Sequence, residues 1–321
     1  MRIALLTDSL GHLPFTDMLD AVAGLGVTEL EFATGGWSNA PHLDVELLVA
    51  DQTARDRFVA ALAERGLRVA AVNANGNQLH PVTGPRDDAV VRRTVELAAL
   101  LEVETVVLMS GLPGGAPGDR TPAWITTSWP SETQTILDYQ WNDVALPYWR
   151  DLAGFASRHG VRLAVEMHGQ QLVYNASTLL RLREAVGDTV GANLDPSHPM
   201  WMGVDPRLLA RELDGAIHHV HMKDVRIEAS VAAVQGVLDT QPVDRARTRA
   251  WNYVTLGHGY PGGAQFWSQF LSDLRASGYD GLLSIEHEDV GIDALEGVRQ
   301  SVDLLRGILP VAAPSWRPAE V

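Results

Sequence analysis

Residues 162–195 carry the pattern that decides the fold, RLAVEMHGQQLVYNASTLLRLREAVGDTVGANLD. An apolar run, RLAVEM, is followed by a polar loop, by an amphipathic stretch that ends before Gly187, and by a second apolar run, GANLD. A glycine directly after the last helical residue is the usual C-terminal stop of a helix. The segment therefore predicts a strand, a helix and a second strand, which is the repeating unit of a parallel sheet.

The same pattern recurs along the chain, and eight candidate strands can be counted. They are residues 3–7, 27–32, 68–73, 105–109, 162–167, 191–195, 217–222 and 282–287. The clearest predicted helices between them are residues 54–65, 87–101, 144–159, 177–186, 266–277 and 292–309. Eight strand–helix pairs predict an α/β fold, a (β/α)8 TIM barrel, as a single domain over residues 1–321.

Two long insertions interrupt this regular spacing. Residues 111–139 follow the fourth strand and residues 225–263 follow the seventh, and both would lie on the face where barrels of this kind build active sites. The first contains GLPGGAPG at 111–118, which is too rich in glycine and proline for regular structure and suits a mobile lid or an oligomer arm. A C-terminal tail begins at about residue 310. A doubly wound sheet is the competing fold, but the chain has no GxGxxG or Walker A motif.

Composition excludes several classes of function. The 25 basic and 40 acidic residues give a net charge of −15, which argues against a surface that binds nucleic acid or anionic lipid. The chain has no cysteine, so disulfides, zinc–thiolate sites, iron–sulfur clusters and a thiol nucleophile are excluded. We find no signal peptide and no run of about 18 apolar residues, which predicts a soluble cytoplasmic protein whose partner is small or neutral.

Four consecutive predicted strands end in a side chain that can bind a metal. They are, in order, Glu166 in VEMHG, Asp195 in NLDPSH, His221 in HHVHMKD and Glu286 in SIEHED. Three carboxylates at one barrel mouth would repel one another, whereas a divalent cation would offset that repulsion. The oxygen-rich set suits one divalent metal ion, Mn²⁺ first, with Mg²⁺, Co²⁺ or Zn²⁺ as alternatives. One acidic residue at a strand end is commonly a helix cap or a solvated side chain, but four at the same level favour a metal site.

The motifs VEMH, LDPSH, HVHMKD and SIEHED, in this order, resemble those of the xylose isomerase-like barrel superfamily of sugar isomerases and epimerases. The resemblance covers the chain from residue 2 to about residue 309. It implies that the four residues above bind one catalytic divalent ion, and that His198 and the Lys223–Asp224 pair line the substrate side. The Trp-rich insertion, the wording LDPSHPMWMG and His168 also resemble the larger subunit of bacterial C-glycoside deglycosidases. That narrower resemblance implies a 3-oxo-sugar substrate, elimination of a C-linked aglycone and a small second subunit.

The chemistry of such enzymes limits which side chains can act. A proton on carbon beside a carbonyl is too weakly acidic for an unaided side chain, so a bound metal has to stabilise the developing negative charge. By analogy with similar epimerases, Glu166 and Glu286 remove and return the proton. Alternation along a strand places His168 on the same face as Glu166, which makes His168 a competing base. His258, in TLGHGYPGG, is a third candidate, and an ordinary turn histidine is an equally good interpretation of it.

Basic residues offer further candidates. Lys223, the only lysine, would polarise a hydroxyl or a leaving oxygen with Asp224 holding it, or would form a surface pair with Asp224. The second insertion carries four arginines that could meet a sugar phosphate: Arg226, Arg245, Arg247 and Arg249. Charge-rich loops are commonly just solvated, so an unphosphorylated substrate is favoured.

Five tryptophans fall in predicted loops or insertions rather than on helix faces: Trp37, Trp124, Trp129, Trp201 and Trp251. Their rings, Trp201 in the LDPSHPMW stretch among them, could stack on a pyranose or an aglycone. The alternative is that they pack the long loops onto the barrel or form a subunit interface. Exposed Trp-rich insertions predict an oligomer.

These features predict a metal-dependent enzyme that enolises a keto-sugar or sugar derivative. It would be a sugar isomerase or epimerase, or a carbon–carbon lyase that cleaves a C-glycoside. One alternative is an AP-endonuclease-like phosphodiesterase, against which the net charge argues. Another is a non-catalytic sugar-binding or scaffolding subunit, against which the four occupied ligand positions argue.

Overall fold

Eight parallel strands close into a barrel in a computed structural model of the chain, which describes residues 1–310. The barrel strands are β1 (Arg2–Leu6), β2 (Glu29–Ala33), β3 (Arg68–Asn73), β4 (Thr105–Met109), β5 (Arg162–Glu166), β6 (Val190–Leu194), β7 (Ile217–Met222) and β10 (Leu282–Ile285). Two further strands, β8 (Asp224–Ile227) and β9 (Trp251–Val254), form a separate two-stranded sheet. The order around the barrel is β1, β10, β7, β6, β5, β4, β3, β2. The predicted (β/α)8 barrel is therefore confirmed, while the predicted tail lies, from residue 311 onward, outside the described residues.

Helices cover the outside of the barrel. They are α1 (Phe15–Gly24), α2 (Val45–Ala50), α3 (Gln52–Ala63), α4 (Gly84–Leu100), α5 (Glu132–Asp138), α6 (Leu146–Arg158), α7 (Ala176–Val186), α8 (Ser197–Trp201), α9 (Pro206–Glu212), α10 (Ala229–Gln235), α11 (Gly263–Ala276) and α12 (Ala294–Ile308). The six clearest predicted helices correspond to α3, α4, α6, α7, α11 and α12. Among the helices described, none has both the length and the apolar composition needed to cross a bilayer.

Helix α7 illustrates how the local sequence sets these elements. Asn175 and Thr178 form a reciprocal capping box at its start, so that two otherwise unpaired backbone N–H groups are satisfied. The helix buries Leu179 and Leu182, which are three residues apart on one face. It ends at Gly187, whose φ of 91° is a conformation that side chains other than glycine rarely adopt. The following strand then runs parallel to β5, as the pattern of residues 162–195 predicts.

The strand ends carry the candidate ligands to one side of the barrel. Glu166 is the last residue of β5, whereas Asp195 and Glu286 lie one residue beyond β6 and β10. The predicted strands 191–195 and 282–287 therefore end too late. Outside the ladder these side chains are free to turn toward the barrel axis, which is where the site forms.

The first insertion has no regular structure from Gly111 to the start of α5. One buried side chain fixes it, because Gln140 Nε2 lies 3.2 Å from the carbonyl oxygens of Pro113 and Gly114 and 2.7 Å from that of Ala123. Gln140 belongs to a π-helical turn, Tyr139–Ala145, that joins α5 to α6. That turn explains why α6 begins two residues later than the predicted helix 144–159. A role for this segment as a lid or an oligomer arm stays a prediction.

The second insertion forms a β-ribbon over the barrel mouth. Strands β8 and β9 pair antiparallel, with Asp224 opposite Val254 and Ile227 opposite Trp251. Helix α10 and a 3₁₀ turn, Val243–Thr248, connect them. The ribbon begins two residues after the end of β7, so its position is tied directly to the strand that carries His221.

Candidate active site

The four predicted metal ligands converge at the carboxyl ends of β5, β6, β7 and β10. His221 Nδ1 lies 3.3 Å from Glu166 Oε2 and 3.0 Å from Glu286 Oε2. Ligand atoms of Glu166, Asp195 and His221 all lie within 4.8 Å of one another, and all three side chains are buried. Their role as metal ligands stays a prediction, but their proximity means that one ion could contact several of them.

His198 joins this group from the first turn of α8. Its Nε2 lies 3.1 Å from Glu166 Oε1 and 3.1 Å from Asp195 Oδ2, and its Nδ1 is 2.9 Å from the Tyr253 hydroxyl. Burial alone would lower the pKa of His198, but Asp195 and Glu166 raise it to about 9. The imidazole is therefore held as a cation between two carboxylates.

Lys223 is buried and faces three carboxylates. Its Nζ lies 2.6 Å from Glu288, 3.2 Å from Glu286 and 4.0 Å from Asp195. Burial would lower the pKa of Lys223, but these anions raise it well above the usual value. The ammonium also lies 4.3 Å from the centre of the Tyr253 ring. Lys223 thus borders the site as a fixed positive charge.

Lys223 and Asp224 form no ion pair in the described structure, and Asp224 is absent from the cavity lining, so its place on the substrate side stays a prediction. Alternation along the chain turns the fully buried Asp224 away from the site. Its carboxylate accepts hydrogen bonds from the backbone N–H groups of Val225, Gly257, Gly259 and Tyr260, at 2.8 to 3.0 Å. Asp224 therefore fastens the loop after β9 to the start of the ribbon.

Two other predicted substrate contacts lie away from the cavity surface. His258 is exposed on that same loop and is absent from the cavity lining. Trp201 is 7% exposed, and its ring stacks on Trp251 at 4.8 Å with an angle of 7°. Trp251, one residue of a β-ribbon that the sequence did not predict, covers Trp201 and lines the cavity in its place.

His168 lies two residues beyond Glu166 and borders the cavity. Its ring centre is 3.9 Å from that of His198, and its Nδ1 contacts the carbonyl oxygen of Gly169. Burial and the neighbouring His198 lower the pKa of His168 to about 4. The ring is therefore neutral near pH 7, which makes it a weak proton acceptor.

Sequence reasoning missed Glu31, a fully buried carboxylate inside the barrel on β2. Glu31 Oε1 lies 3.0 Å from His221 Nε2, and Oε2 lies 2.8 Å from His219 Nε2. Ser284 Oγ and Asn73 Nδ2 also donate to this carboxylate, at 2.7 and 2.9 Å. The sequence did contain a signal for a functional residue here, because Glu31 is an acidic residue within a predicted strand. Its partners lie 42 to 253 residues away in sequence, so the contacts could not be predicted.

His221 lies between two polar clusters, with one cluster next to each of its ring nitrogens. The inner cluster comprises Asn73, Glu31, His219 and Ser284, next to His221 Nε2. The mouth cluster comprises Glu166, Asp195, His198, Lys223, Glu286 and Glu288, next to His221 Nδ1. Burial would lower the pKa of His221, but Glu31 and Glu286 raise it well above the usual value.

The two candidate proton-transfer carboxylates of the mouth cluster have different environments. Burial would raise the pKa of Glu166, yet hydrogen bonds to His198 and His221 hold it well below the usual value. Burial raises the pKa of Glu286, and Lys223 and His221 offset this only in part. Carboxyl groups whose pKa values are pushed apart in this way are typical of acid–base pairs.

The mouth cluster opens into a cavity of about 720 Å³. This volume falls within the range of about 300–1,000 Å³ that is typical of pockets for small ligands. Glu166, His198, Lys223 and Glu286 lie at its inner end. Trp37, which is 53% exposed, and Trp251 contribute aromatic surface to its walls.

The residues of the mouth cluster fit a divalent cation. Three of its buried polar atoms lie 3.0–3.1 Å from an oppositely charged group but make no well-aligned hydrogen bond: Asp195 Oδ2, His198 Nε2 and Glu286 Oε2. An unsatisfied buried polar atom costs about 1–3 kcal/mol, and more when the group is charged. Carboxylate oxygens with one imidazole nitrogen form a donor set that suits Mn²⁺, Mg²⁺, Co²⁺ or Zn²⁺.

Comparisons with known proteins agree with this architecture. Residues 19–308 match the family model described as "Xylose isomerase-like TIM barrel". The "Uncharacterized protein YfiH" of Bacillus subtilis is 49% identical over 310 residues, covering 95% of this chain and 98% of that protein.

Solved structures share the fold at low sequence identity. The probable 3-DHS dehydratase AsbF of Bacillus anthracis superposes with a TM-score of 0.67 at 18% identity, covering 95% of this chain and 99% of that one. A D-psicose 3-epimerase determined in the presence of D-fructose gives 0.61 at 14%, covering 96% and 99%. A magnesium complex of a barrel protein from Mycobacterium smegmatis gives 0.62 at 17%, covering 96% of each chain. With nine-tenths of its length matched by the family model, this chain belongs to the xylose isomerase-like TIM barrel family.

Proposed function

We propose that this chain is a divalent-metal-dependent enzyme that removes a proton from the carbon beside the carbonyl of a keto-sugar. Return of the proton to the other face of that carbon would give epimerisation, and return to a neighbouring carbon would give isomerisation. Similar structures include a D-psicose 3-epimerase and an L-ribulose 3-epimerase, which supports a sugar as the substrate. The substrate would be a small sugar or glycoside.

One observation carries this proposal: ligand atoms of Glu166, Asp195 and His221 lie within 4.8 Å of one another, beside a ligand-sized cavity that Glu166 and Glu286 line. Glu166, Asp195, His221 and Glu286 would hold the ion, with Mn²⁺ as the first choice. A divalent ion bound there would act as a Lewis acid on a sugar oxygen and make the neighbouring C–H bond more acidic.

The chain's own side chains would move the proton. Glu166 and Glu286 both line the cavity and approach His221 Nδ1 from two different strands, so each can reach a ligand at the inner end. One would remove the proton and the other would return it. His168 is the competing base, although its low pKa weakens that assignment. Lys223 would orient a hydroxyl or stabilise a leaving oxygen by its fixed charge.

Elimination is the second outcome that fits the same proton removal. A similar structure is a probable 3-DHS dehydratase, and dehydration is an elimination. The cavity extends beyond the mouth cluster to Trp251 and Val243, which leaves room for an aglycone. A C-glycoside deglycosidase acting on a 3-oxo-sugar would use the site in this way, together with a small second subunit. We further propose that the protein forms an oligomer and is located in the cytoplasm.

Deuterium exchange tests the proposal directly. Purified Mn²⁺-loaded protein would be incubated in deuterium oxide with D-fructose, other ketoses and a 3-oxo-glycoside. Deuterium should appear at the carbon beside the ketone, and the product should distinguish epimerisation from elimination. Metal analysis of the same sample should give one ion per chain.

Two results would contradict the proposal. The first is an absence of exchange with every substrate despite a bound ion. The second is efficient nicking of an oligonucleotide with an abasic site, which would favour a phosphodiesterase instead.

A further inference from the structure

Arg249 lies in the outer part of the cavity, just before β9, and is 6% exposed. The guanidinium carbon lies 4.7 Å from the centre of the Trp251 ring, so the side chain rests against that ring. Two exposed valines, Val243 and Val290, lie on the same part of the lining. The cavity wall therefore contains a buried cation together with apolar side chains.

This cation forms no ion pair within the described residues, although Asp239, whose pKa is lowered by backbone N–H groups and by Arg249, lies nearby. Arg249 Nε has no hydrogen-bond partner, and no carboxylate of residues 1–310 lies within 4.0 Å of the guanidinium. Buried charges are normally paired, because burial removes the hydration that stabilises them. Lys223 in the same cavity follows that rule, with three carboxylates around its ammonium group. Arg249 is the exception.

The ribbon determines where Arg249 lies relative to the mouth cluster at the inner end of the cavity. Trp251 and Tyr253 are two residues apart on β9, so both side chains face the cavity. Tyr253 contacts Lys223 and His198 at the inner end, and its ring lies 5.2 Å from that of Trp251. Arg249 lies beyond Trp251. Lys223 and Arg249 are thus separated by two aromatic side chains.

We propose that Arg249 binds an anionic group of the substrate, a carboxylate or a phosphate, at the end remote from the reacting carbon. A guanidinium binds either group through two parallel hydrogen bonds, and the Trp251 ring keeps the guanidinium in place. The assignment of the reacting end rests on the proposed function above. The inference revises the expectation of a neutral, unphosphorylated substrate, which took the arginines of this insertion to be solvated.

The carboxylates of the cavity do not argue against an anionic ligand at this end. Glu166, Glu286 and Glu288 are engaged with His198, His221 or Lys223 at the inner end. Asp289 accepts hydrogen bonds from the backbone and hydroxyl of Thr255. Asp8, which also lines the cavity, has Ser38 and His42 as neighbours. Among the described lining residues, Arg249 is therefore the cation that lacks an ion pair.

The first test uses inorganic phosphate and does not depend on any sugar chemistry. The melting temperature of the full chain would be followed against phosphate concentration, with sodium chloride at matched ionic strength as reference. Wild type should be stabilised by phosphate, and Arg249→Gln should weaken the apparent affinity about tenfold, the effect expected for loss of a charge-assisted contact. Arg249→Lys should retain part of the effect. Arg247→Gln, an equal charge change at an exposed residue of the same segment, should match wild type.

The second test compares three ketoses that differ only at the far end: D-fructose, D-fructose 6-phosphate and D-fructuronate. The kcat/KM for deuterium exchange by Mn²⁺-loaded protein should favour at least one anionic ketose over D-fructose by about tenfold or more. That ratio should fall toward one in Arg249→Gln and persist in Arg247→Gln. The phosphate and the carboxylate are distinguished by which of the two anions is preferred.

The outcomes separate this inference from the proposed function. Exchange of all three ketoses at equal rates, or an anion preference that survives in Arg249→Gln, overturns the inference while the proposed function stands. A phosphate response equal in wild type and Arg249→Gln also overturns it. A phosphate response that depends on Arg249, together with no exchange of any ketose, supports the anion site and counts against the proposed function.

Discussion

The inner and mouth clusters use the same kinds of side chain, yet they differ in how completely their atoms are hydrogen-bonded. In the inner cluster both oxygens of Glu31 accept hydrogen bonds from buried donors. In the mouth cluster Asp195, His198 and Glu286 each have a buried atom that lies near an opposite charge but makes no well-aligned hydrogen bond. Proximity alone would nominate both as metal sites, since Glu31, His219 and His221 also lie close enough to share an ion. The unsatisfied atoms, rather than the residue types, indicate where a ligand belongs.

His221 connects the two clusters and takes a different role toward each. Its Nε2 faces Glu31, and its Nδ1 faces Glu166 and Glu286. A carboxylate on one ring nitrogen fixes the ring orientation and directs the lone pair of the other nitrogen to a metal. We therefore interpret the inner cluster as a support for the mouth cluster.

The largest effect should come from the mouth cluster itself. Glu166→Gln keeps the size of the side chain but removes a charge that the ion and the proton transfer both require. We expect deuterium exchange into a ketose substrate to fall about 100- to 10,000-fold, the usual contribution of a positioned acid or base. Glu212→Gln, the same change at an exposed position on α9, is the control. Exchange within threefold of wild type in Glu166→Gln would remove Glu166 from the mechanism.

A smaller effect should come from the inner cluster. Glu31→Gln leaves the mouth ligands intact but weakens the hold on His221 Nε2. We expect Mn²⁺ affinity, measured by calorimetry, to fall about 10- to 100-fold, as for other residues that orient a metal-binding histidine. Ser284→Ala, which removes one donor to Glu31 and spares both histidine contacts, should change it less. Equal Mn²⁺ affinities in wild type and Glu31→Gln would show that the inner cluster does not support the mouth cluster.

Asp224 is a third buried anion, and it resembles the inner cluster because its oxygens are already fully bonded. Asp224→Asn places an NH₂ group against backbone N–H donors, so we expect a loss of about 1–3 kcal/mol in the free energy of unfolding, measured by urea denaturation. Mn²⁺ affinity should stay as in wild type. Asp244→Asn, at an exposed site of the same insertion, should leave stability unchanged. Lower Mn²⁺ affinity without a loss of stability would show that Asp224 contributes to the site.

The smallest effect should come from outside both clusters. His258 is exposed on the loop that Asp224 fastens, so His258→Gln should change the unfolding free energy by less than about 0.5 kcal/mol. Exchange rates should stay within twofold of wild type. A tenfold slower exchange at unchanged stability would show that the loop brings His258 to the substrate.

The barrel and the four candidate ligands could be predicted because both depend on regular spacing. Strand–loop–helix periodicity gives the fold, and side chains at the carboxyl ends of neighbouring parallel strands must meet. Residues at the ends of β5, β6, β7 and β10 therefore come together whatever the loops do. Strand bounds were less accurate, as Asp195 and Glu286 show by lying just outside their ladders.

Contacts made by the second insertion could not be predicted in the same way. The β-ribbon depends on the pairing of residues 224–227 with residues 251–254, which are separated by a segment without a clear turn signal. Without that pairing, Trp201 and Trp251 were both candidates for the cavity wall, and the sequence did not show that Trp251 covers Trp201. The direction of Asp224 follows from alternation after Lys223, but its four backbone partners become visible only once the loop after β9 is placed.

The hydrogen bonds that Asp224 accepts hold the base of the ribbon in place, and the sequence of the part far from Asp224 is free to vary. Within residues 228–250, Glu228 and Val237 accept hydrogen bonds from the side chains of Asn252 and Trp251, whereas the loop that Asp224 holds lies outside this segment. A change of sequence within this segment would alter the cavity wall at Val243 and Arg249, while the strands that carry the mouth cluster stay in place.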